Sequence, residues 1–215
     1  MKKTTVIVIV SALLIVGFAF GTQAKIRMLN GDDFVCEVKT EQFNFITDFS
    51  EISFTPEMLQ EVYFTSPETQ LTEIRTVYKN EKYTGLLANK TVTIIAMGNE
   101  LVLLKDKIDR ITFNTANKNI FDYQAKISLR TGDLFYGVLS VPDLKIKTSY
   151  GIFKLKPDEI SKITFEGAGK VTSTVEMKSG NTVKGIIRND YLPITLLGEQ
   201  NIQIVPDKIS TIIIN

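Results

Sequence analysis

The sequence contains no histidine and no tryptophan, and its only cysteine is Cys36. Lack of histidine removes the commonest general base and the commonest metal ligand together. A single cysteine excludes an internal disulfide and any thiolate cluster. Excess charge is missing too: 25 Lys and Arg stand against 24 Asp and Glu, a net +1 with no basic run. That leaves no electrostatic footprint for nucleic acid. No phosphate loop, nucleophile elbow or metal-ligand motif occurs. We therefore expect no enzyme, and assign no catalytic residue, no cofactor and no metal ligand. What is present is 44% hydrophobic residues over 215 positions, enough for one or two ordinary domains or several very small ones.

The N-terminus has the layout of a secretory signal peptide. Met1-Lys2-Lys3 is basic, Val6 to Phe20 is nearly unbroken apolar chain, and Gly21-Thr22-Gln23-Ala24 follows with small residues at Thr22 and Ala24. Cleavage is expected after Ala24, with residues 1–24 as the signal and the mature protein periplasmic or extracellular. The apolar run is shorter than the roughly 20 residues a spanning helix needs. An uncleaved N-terminus acting as an inner-membrane anchor is the alternative, and would be the only membrane contact. Removing Lys2 and Lys3 takes the net charge from +1 to −1.

An internal repeat organises the rest. Four tight turns read Asn30-Gly31-Asp32, Lys79-Asn80-Glu81, Thr131-Gly132-Asp133 and Ser179-Gly180-Asn181. Gly and Asn suit a two-residue hairpin loop because they reach positive φ cheaply. Five residues beyond Gly31, Asn80, Gly132 and Gly180 stand Cys36, Gly85, Gly137 and Gly185. Alternating apolar pairs follow, Phe43/Phe45, Val92/Ile94, Leu144/Ile146 and Leu192/Ile194, then Ile52/Phe54, Leu101/Leu103, Phe153/Leu155 and Ile202/Ile204. Period two with one apolar face is the pattern of a half-buried strand. An acid then recurs at Glu57, Asp106, Asp158 and Asp207, preceded by Pro56, Pro157 and Pro206 in three units. Pro followed by an acid suits the first positions of one helical turn, where N–H groups lack partners and the helix dipole favours negative charge.

The expected fold is therefore all-β. Four tandem repeats of about 40 residues span 25–64, 72–113, 125–165 and 173–215. Each is expected to be a five-stranded small barrel or β-meander with one helical turn before the last strand. A unit this small is at the lower limit for folding alone, so a core shared between units, or one continuous curved sheet, is the competing architecture.

The stretch Leu129-Arg130-Thr131-Gly132-Asp133-Leu134-Phe135-Tyr136-Gly137-Val138-Leu139 resembles the first two strands of Sm-like proteins, which implies SH3/Sm-like barrel geometry. The second Sm motif is absent, so no RNA pocket is carried over. Residues Ile127–Phe165 and Val175–Ile214 are similar to modules of uncharacterised bacterial envelope proteins, of the form apolar-x-apolar-x-x-Gly-Asp … Gly-apolar … apolar-Pro-Asp-x-Ile-x-x-Ile. That resemblance implies an envelope location and assigns no reaction.

Single residues are read conservatively. Cys36 stands in a glycine column and is taken as a small buried residue. Asp32, Asp33 and Asp133 are taken as turn residues, since a calcium loop needs several oxygens converging at close spacing. Glu57, Asp106, Asp158 and Asp207 are taken as caps of the helical turns. Phe135 and Tyr136 are adjacent, so one of them faces outward on a strand. Tyr63, Tyr78, Tyr83, Tyr123, Tyr150 and Tyr191 could form a binding patch, but scattered packing is the simpler reading. Asn89-Lys90-Thr91 matches a glycosylation sequon, relevant only in a eukaryotic host.

Repeats without a catalytic constellation point to a non-catalytic binding module for another envelope protein or a surface polymer. The alternative is a self-assembling structural protein, a homo-oligomer joined by exposed strand edges. The closing run Ile209 to Ile214 is the expected edge in both cases.

Overall fold

Period-two alternation produces strands throughout the residues that the computed structural model describes, 21–65, 71–78, 81–116, 124–167, 172–197 and 199–215. The apolar run Val6 to Phe20, Pro67, Lys79, Asn80, Tyr123 and the Ala168–Gly169 connector lie outside them. The strands are numbered in chain order and taken in groups of five. The first is β1 (Thr22–Met28), β2 (Asp33–Val38), β3 (Phe43–Ile46), β4 (Glu51–Phe54) and β5 (Leu59–Phe64). The second is β6 (Leu71–Thr76), β7 (Lys82–Leu87), β8 (Thr91–Ala96), β9 (Asn99–Leu104) and β10 (Ile108–Phe113). The third is β11 (Ala125–Leu129), β12 (Leu134–Leu139), β13 (Leu144–Lys147), β14 (Ile152–Leu155) and β15 (Ile160–Glu166). The fourth is β16 (Thr172–Met177), β17 (Thr182–Ile187), β18 (Leu192–Leu196), β19 (Asn201–Ile204) and β20 (Ile209–Ile214).

A three-residue 3₁₀ turn precedes each fifth strand, at Pro56–Met58, Lys105–Lys107, Pro157–Glu159 and Pro206–Lys208. The recurring acid occupies the second position of each turn. The cap positions are Thr55, Leu104, Lys156 and Val205, and none makes a side-chain capping bond. The expectation that these acids cap the turns is thus corrected. The hairpin loops differ from expectation as well. The Met28 amide donates to Asp32 O (2.8 Å) and the Gly31 amide to Met28 O (3.0 Å), with Gly31 at φ +94°, giving a three-residue loop that ends in left-handed glycine. Leu129–Asp133 and Met177–Asn181 close in the same way. The second unit runs from Thr76 to Glu81 and is one residue longer.

The fold is all-β, an open antiparallel sheet system. No five-strand series closes into a barrel, because the second and third strands of a series do not pair with each other. β2 pairs with β8 and β7 with β3, each borrowing from the other unit. β12 pairs with β18 and β17 with β13 in the same exchange. The small-residue column explains where the exchange occurs. A Cβ on Gly137 would lie 2.5 Å from the Thr195 carbonyl oxygen, and one on Gly85 or Gly185 would strike Ile46 O or Lys147 O. At these three crossings glycine permits the close approach, while β2 carries Cys36 at the corresponding place.

The pairings give two sheets of ten strands. The first has the order β9-β8-β2-β1-β10-β5-β6-β7-β3-β4. The second has the order β14-β13-β17-β16-β15-β20-β11-β12-β18-β19. Read from either end, each gives the same succession of strand types, so each sheet is a two-fold exchange between neighbouring series. One ladder contact, Leu134 opposite Lys82, links the sheets. Ile209 to Ile214 form β20, paired on both sides with β15 and β11. The expectation that this run is an exposed edge is therefore overturned; it lies at the centre of its sheet.

Inward columns such as Val92, Ile94 and Ala96 of β8 join one continuous hydrophobic core. Each such aliphatic or aromatic side chain contributes roughly 1.5–3 kcal/mol when fully buried.

Candidate functional site

Equivalent positions in the four series follow from the first hairpins, where Ile26, Ile74, Ile127 and Val175 face Phe34, Tyr83, Phe135 and Val183. Two residues before that column stand Asp32, Glu81, Asp133 and Asn181. They share the inward phase of the strand, but only Glu81 and Asp133 are buried. Those two belong to the units whose β7 and β12 meet between the sheets.

At this junction Glu81 is 4% exposed. It accepts hydrogen bonds from the Thr76 hydroxyl (2.5 Å), the Tyr83 hydroxyl (3.1 Å) and the Tyr136 amide (3.2 Å). Burial disfavours its anion, and the pKa rises to about 7 against these donors. Burial also raises Tyr83 well above the usual phenol value, with Glu81 adding to the effect. Asp133 is raised by burial as well, although the Thr131 hydroxyl donates to Oδ2 (2.9 Å) and Thr84 across the junction favours its charged form. Oδ1 of Asp133 is enclosed without a formed hydrogen bond. Around the acids runs an aromatic stack. Phe49 lies on Phe135 (5.7 Å), Phe135 on Tyr83 (5.5 Å) and Phe54 beside Tyr83 (5.1 Å). At the rim, the Ser53 amide donates to Gln200 Oε1 (2.9 Å), Gln200 Nε2 donates back to Ser53 O, and Lys208 pairs with Asp48 (2.8 Å).

Carboxylates from different units thus converge here, which spacing alone did not reveal. The cleft beside them, lined by Met58, Tyr78, Glu81, Tyr83 and Gln200 among others, leaves room for about one water. The Tyr136 amide on Glu81 and the stacked rings join the two sheets at this point. A signal for it existed: Glu81 and Asp133 are acids in the apolar phase of their strands. Reading Asp133 purely as turn chemistry missed its burial.

The other candidates are dispersed. Cys36 is buried, its Sγ directed at Ala24 O (3.6 Å), and burial pushes the thiol up to about 11. Asp32 closes its own turn with Asn30 (2.7 Å). Asp33 pairs with Lys25 (2.8 Å) and Arg27 (3.1 Å), which hold its carboxyl down at about 2. Glu57 accepts from the Thr22 hydroxyl (2.8 Å), while Asp106 lies exposed in a different turn. Among the described residues no three Asp, Glu or Cys side chains are grouped to hold a metal ion. Phe135 and Tyr136 are both buried, which corrects the expectation that one of them faces outward. Arg110 lies over the Tyr63 ring (4.8 Å), and Tyr150 packs edge-on against Phe153 (5.7 Å). Tyr191 is exposed on its own. Asn89 is structural, its side chain bonding the Asn44 amide and Gln42 O (2.8 and 2.9 Å). Lys25, Arg27 and Arg110 line a surface groove, but Asp33 and Glu61 already pair with them.

The sheet ends differ from one another. At the junction, Ile52 and Phe54 of β4 and Ile202 and Ile204 of β19 are buried. On the outer strands β9 and β14, Val102, Leu104, Ile152 and Phe153 are exposed. These strands pair on one side only, with β8 and β13. Among the described residues no helix is long and apolar enough to cross a membrane. No protein-family model matches the chain, and neither a curated protein nor a solved structure matches it.

Proposed function

We propose that the chain is an extracytoplasmic, non-catalytic β-repeat protein that binds a protein or polymer partner in the cell envelope through the open ends of its sheets. One observation carries this reading: β9 and β14 expose Val102 and Ile152 where β4 and β19 carry polar Ser53, Gln203, Glu51 and Asn201, and Phe153 is exposed where Ile52 and Ile202 are buried. Soluble chains seldom leave such strand edges both unpaired and apolar without a use. We read the four strand series as four copies of one unit of about 40 residues. Each copy is a small SH3/Sm-like unit, opened so that its third and fourth strands complete a neighbour. The signal-peptide layout and the likeness to bacterial envelope modules support the location.

The cut that releases the protein falls upstream of Thr22 in this reading. Thr22, Gln23 and Ala24 pair with Val38, Glu37 and Cys36 in β1, and Ala24 is buried. Cleavage after Ala24 would remove the first three residues of β1, whereas Ala19-Phe20-Gly21 offers small residues at the two positions that matter and leaves β1 whole. N-terminal sequencing of the processed protein decides this, and a start at Lys25 would refute it.

A photo-reactive side chain at position 102 or 152, cross-linked in intact cells, tests the binding. A discrete adduct is expected from these positions and not from exposed positions such as Tyr191. Equal yields everywhere, or none, would sink the reading.

A further inference from the structure

The junction between the two sheets is a contact whose parts recur at the far ends. Lys82 and Leu134 pair across it and hold the same place in their series, just before Tyr83 and Phe135. The corresponding residues at the far ends are Asp33 and Thr182, just before Phe34 and Val183, which are only half-buried. Phe49, two residues past Thr47, stacks on Phe135 inside the chain. Its counterpart in the third series is Tyr150, two residues past Thr148, in a turn closed by the same hydroxyl: Thr47 Oγ1 donates to Ser50 O and Thr148 Oγ1 to Gly151 O (2.7 and 3.0 Å). Tyr150 is 75% exposed. The ring is present at the outer end, and the surface it would stack on is not.

The strand edges repeat the comparison. Ser53 of β4 is held by Gln200 of the other sheet. Val102 takes the place of Ser53 on β9 and is 62% exposed, with Leu104 at 54%. Both far ends expose apolar side chains at places whose counterparts, Ser53 and Phe49, contact the other sheet inside the molecule.

Charge decides which ends match. Residues 21–116 hold 10 Lys and Arg against 14 Asp and Glu, a net −4. Residues 117–215 hold 13 against 10, a net +3. Two first ends or two second ends would bring like charge together, whereas a first end against a second end brings opposite charge.

We propose that the β2–β8–β9 end of one copy docks on the β17–β13–β14 end of another, repeating the internal junction with Tyr150 against Phe34 and joining copies head to tail. This rests on the reading that the open ends bind a partner, and names that partner as a second copy. Such a heterologous contact adds copies one after another, as an open chain unless its rotation closes a ring.

Sedimentation of the processed full-length protein over a wide concentration range tests it. The average mass should rise steadily with concentration and fall back at high salt. Val102→Asp/Leu104→Asp blocks the first end, and Tyr150→Asp/Ile152→Asp blocks the second. All four side chains are surface-exposed, and unchanged circular dichroism and melting temperature would verify folding. Each variant alone should stay monomeric. An equimolar mixture should give one species of twice the monomer mass and nothing larger. Dimers of the Tyr150→Asp/Ile152→Asp variant alone would overturn the head-to-tail arrangement, since they would need two first ends to meet. A wild-type protein monomeric at every concentration would overturn the second copy as partner. If cellular cross-links from position 102 persisted in that case, the binding reading would stand with a different partner; if they were also missing, both would fall.

Discussion

Strands β4 and β9 hold the same place in consecutive series, yet their inward side chains meet different fates. Ile52 and Phe54 are 2% exposed, while Leu101 and Leu103 are only partly covered. The residue types hardly differ. The difference lies in what stands opposite: β4 faces the second sheet, with Gln200 on its edge, and β9 has no such neighbour among the described residues. The same contrast separates Glu81 and Asp133, buried at the junction, from Asp32 and Asn181, exposed at the ends. Burial at these positions is set by where a unit falls along the chain.

The sharpest way to break the comparison is to remove a junction ring. Phe135→Ala leaves a hole between Phe49 and Tyr83, and should cost about 3–5 kcal/mol in denaturant unfolding. Phe34→Ala, at the equivalent half-buried end position, should cost well under half of that. Equal losses would show that the junction has no special place in stability.

Next in size is the crossing point of the exchanged strands. Gly137→Ala drives a Cβ against the Thr195 carbonyl, backbone that cannot step aside, and should cost about 1–3 kcal/mol. Cys36→Ala, in the one unit that already carries a side chain there, should cost less. A neutral Gly137→Ala would mean that the strands cross differently.

The pH dependence comes third. The folded pKa of Glu81, about 7, lies above its ordinary value of 4.5, so the native state holds the proton more tightly. Its contribution is complete below about 4.5 and is lost as pH rises through about 7, at roughly 1.4 kcal/mol per pH unit at most. Glu81→Gln should flatten the fall in stability across that window and leave the acid side unchanged. An unaltered slope would place the titration elsewhere. Asp33 acts in the opposite direction and in a lower window. Its carboxyl is held down at about 2, so what it adds is lost only as pH falls through that region.

The smallest expected effect is at the end of the same column. Asp32→Asn removes a charge from an exposed turn and should shift stability by no more than about 0.5 kcal/mol at any pH. A large change there would make the ends resemble the junction.

Much of this was legible in the sequence. The apolar columns, the four Pro- or Lys-led helical turns and the small residues five past each turn, Cys36 and three glycines, all coincide with structural features. The buried acids were legible in part, since Glu81 and Asp133 fall in the inward phase, but phase alone does not distinguish them from exposed Asp32. The run Ile209 to Ile214 was misplaced because a strand rich in isoleucine at a chain end reads the same whether it closes a sheet or centres one.

By itself, then, the sequence determined the strands, their inward faces, their order and the points of closest backbone approach, because side-chain periodicity and the steric needs of turns are local. Only the tertiary structure decided that β2 takes β8 as its neighbour, that the sheets stay open, and that two of four equivalent acids are buried. The physical reason is that a strand's N–H and C=O groups are the same for every antiparallel partner. Choice among partners is made by long-range packing, which no local pattern records.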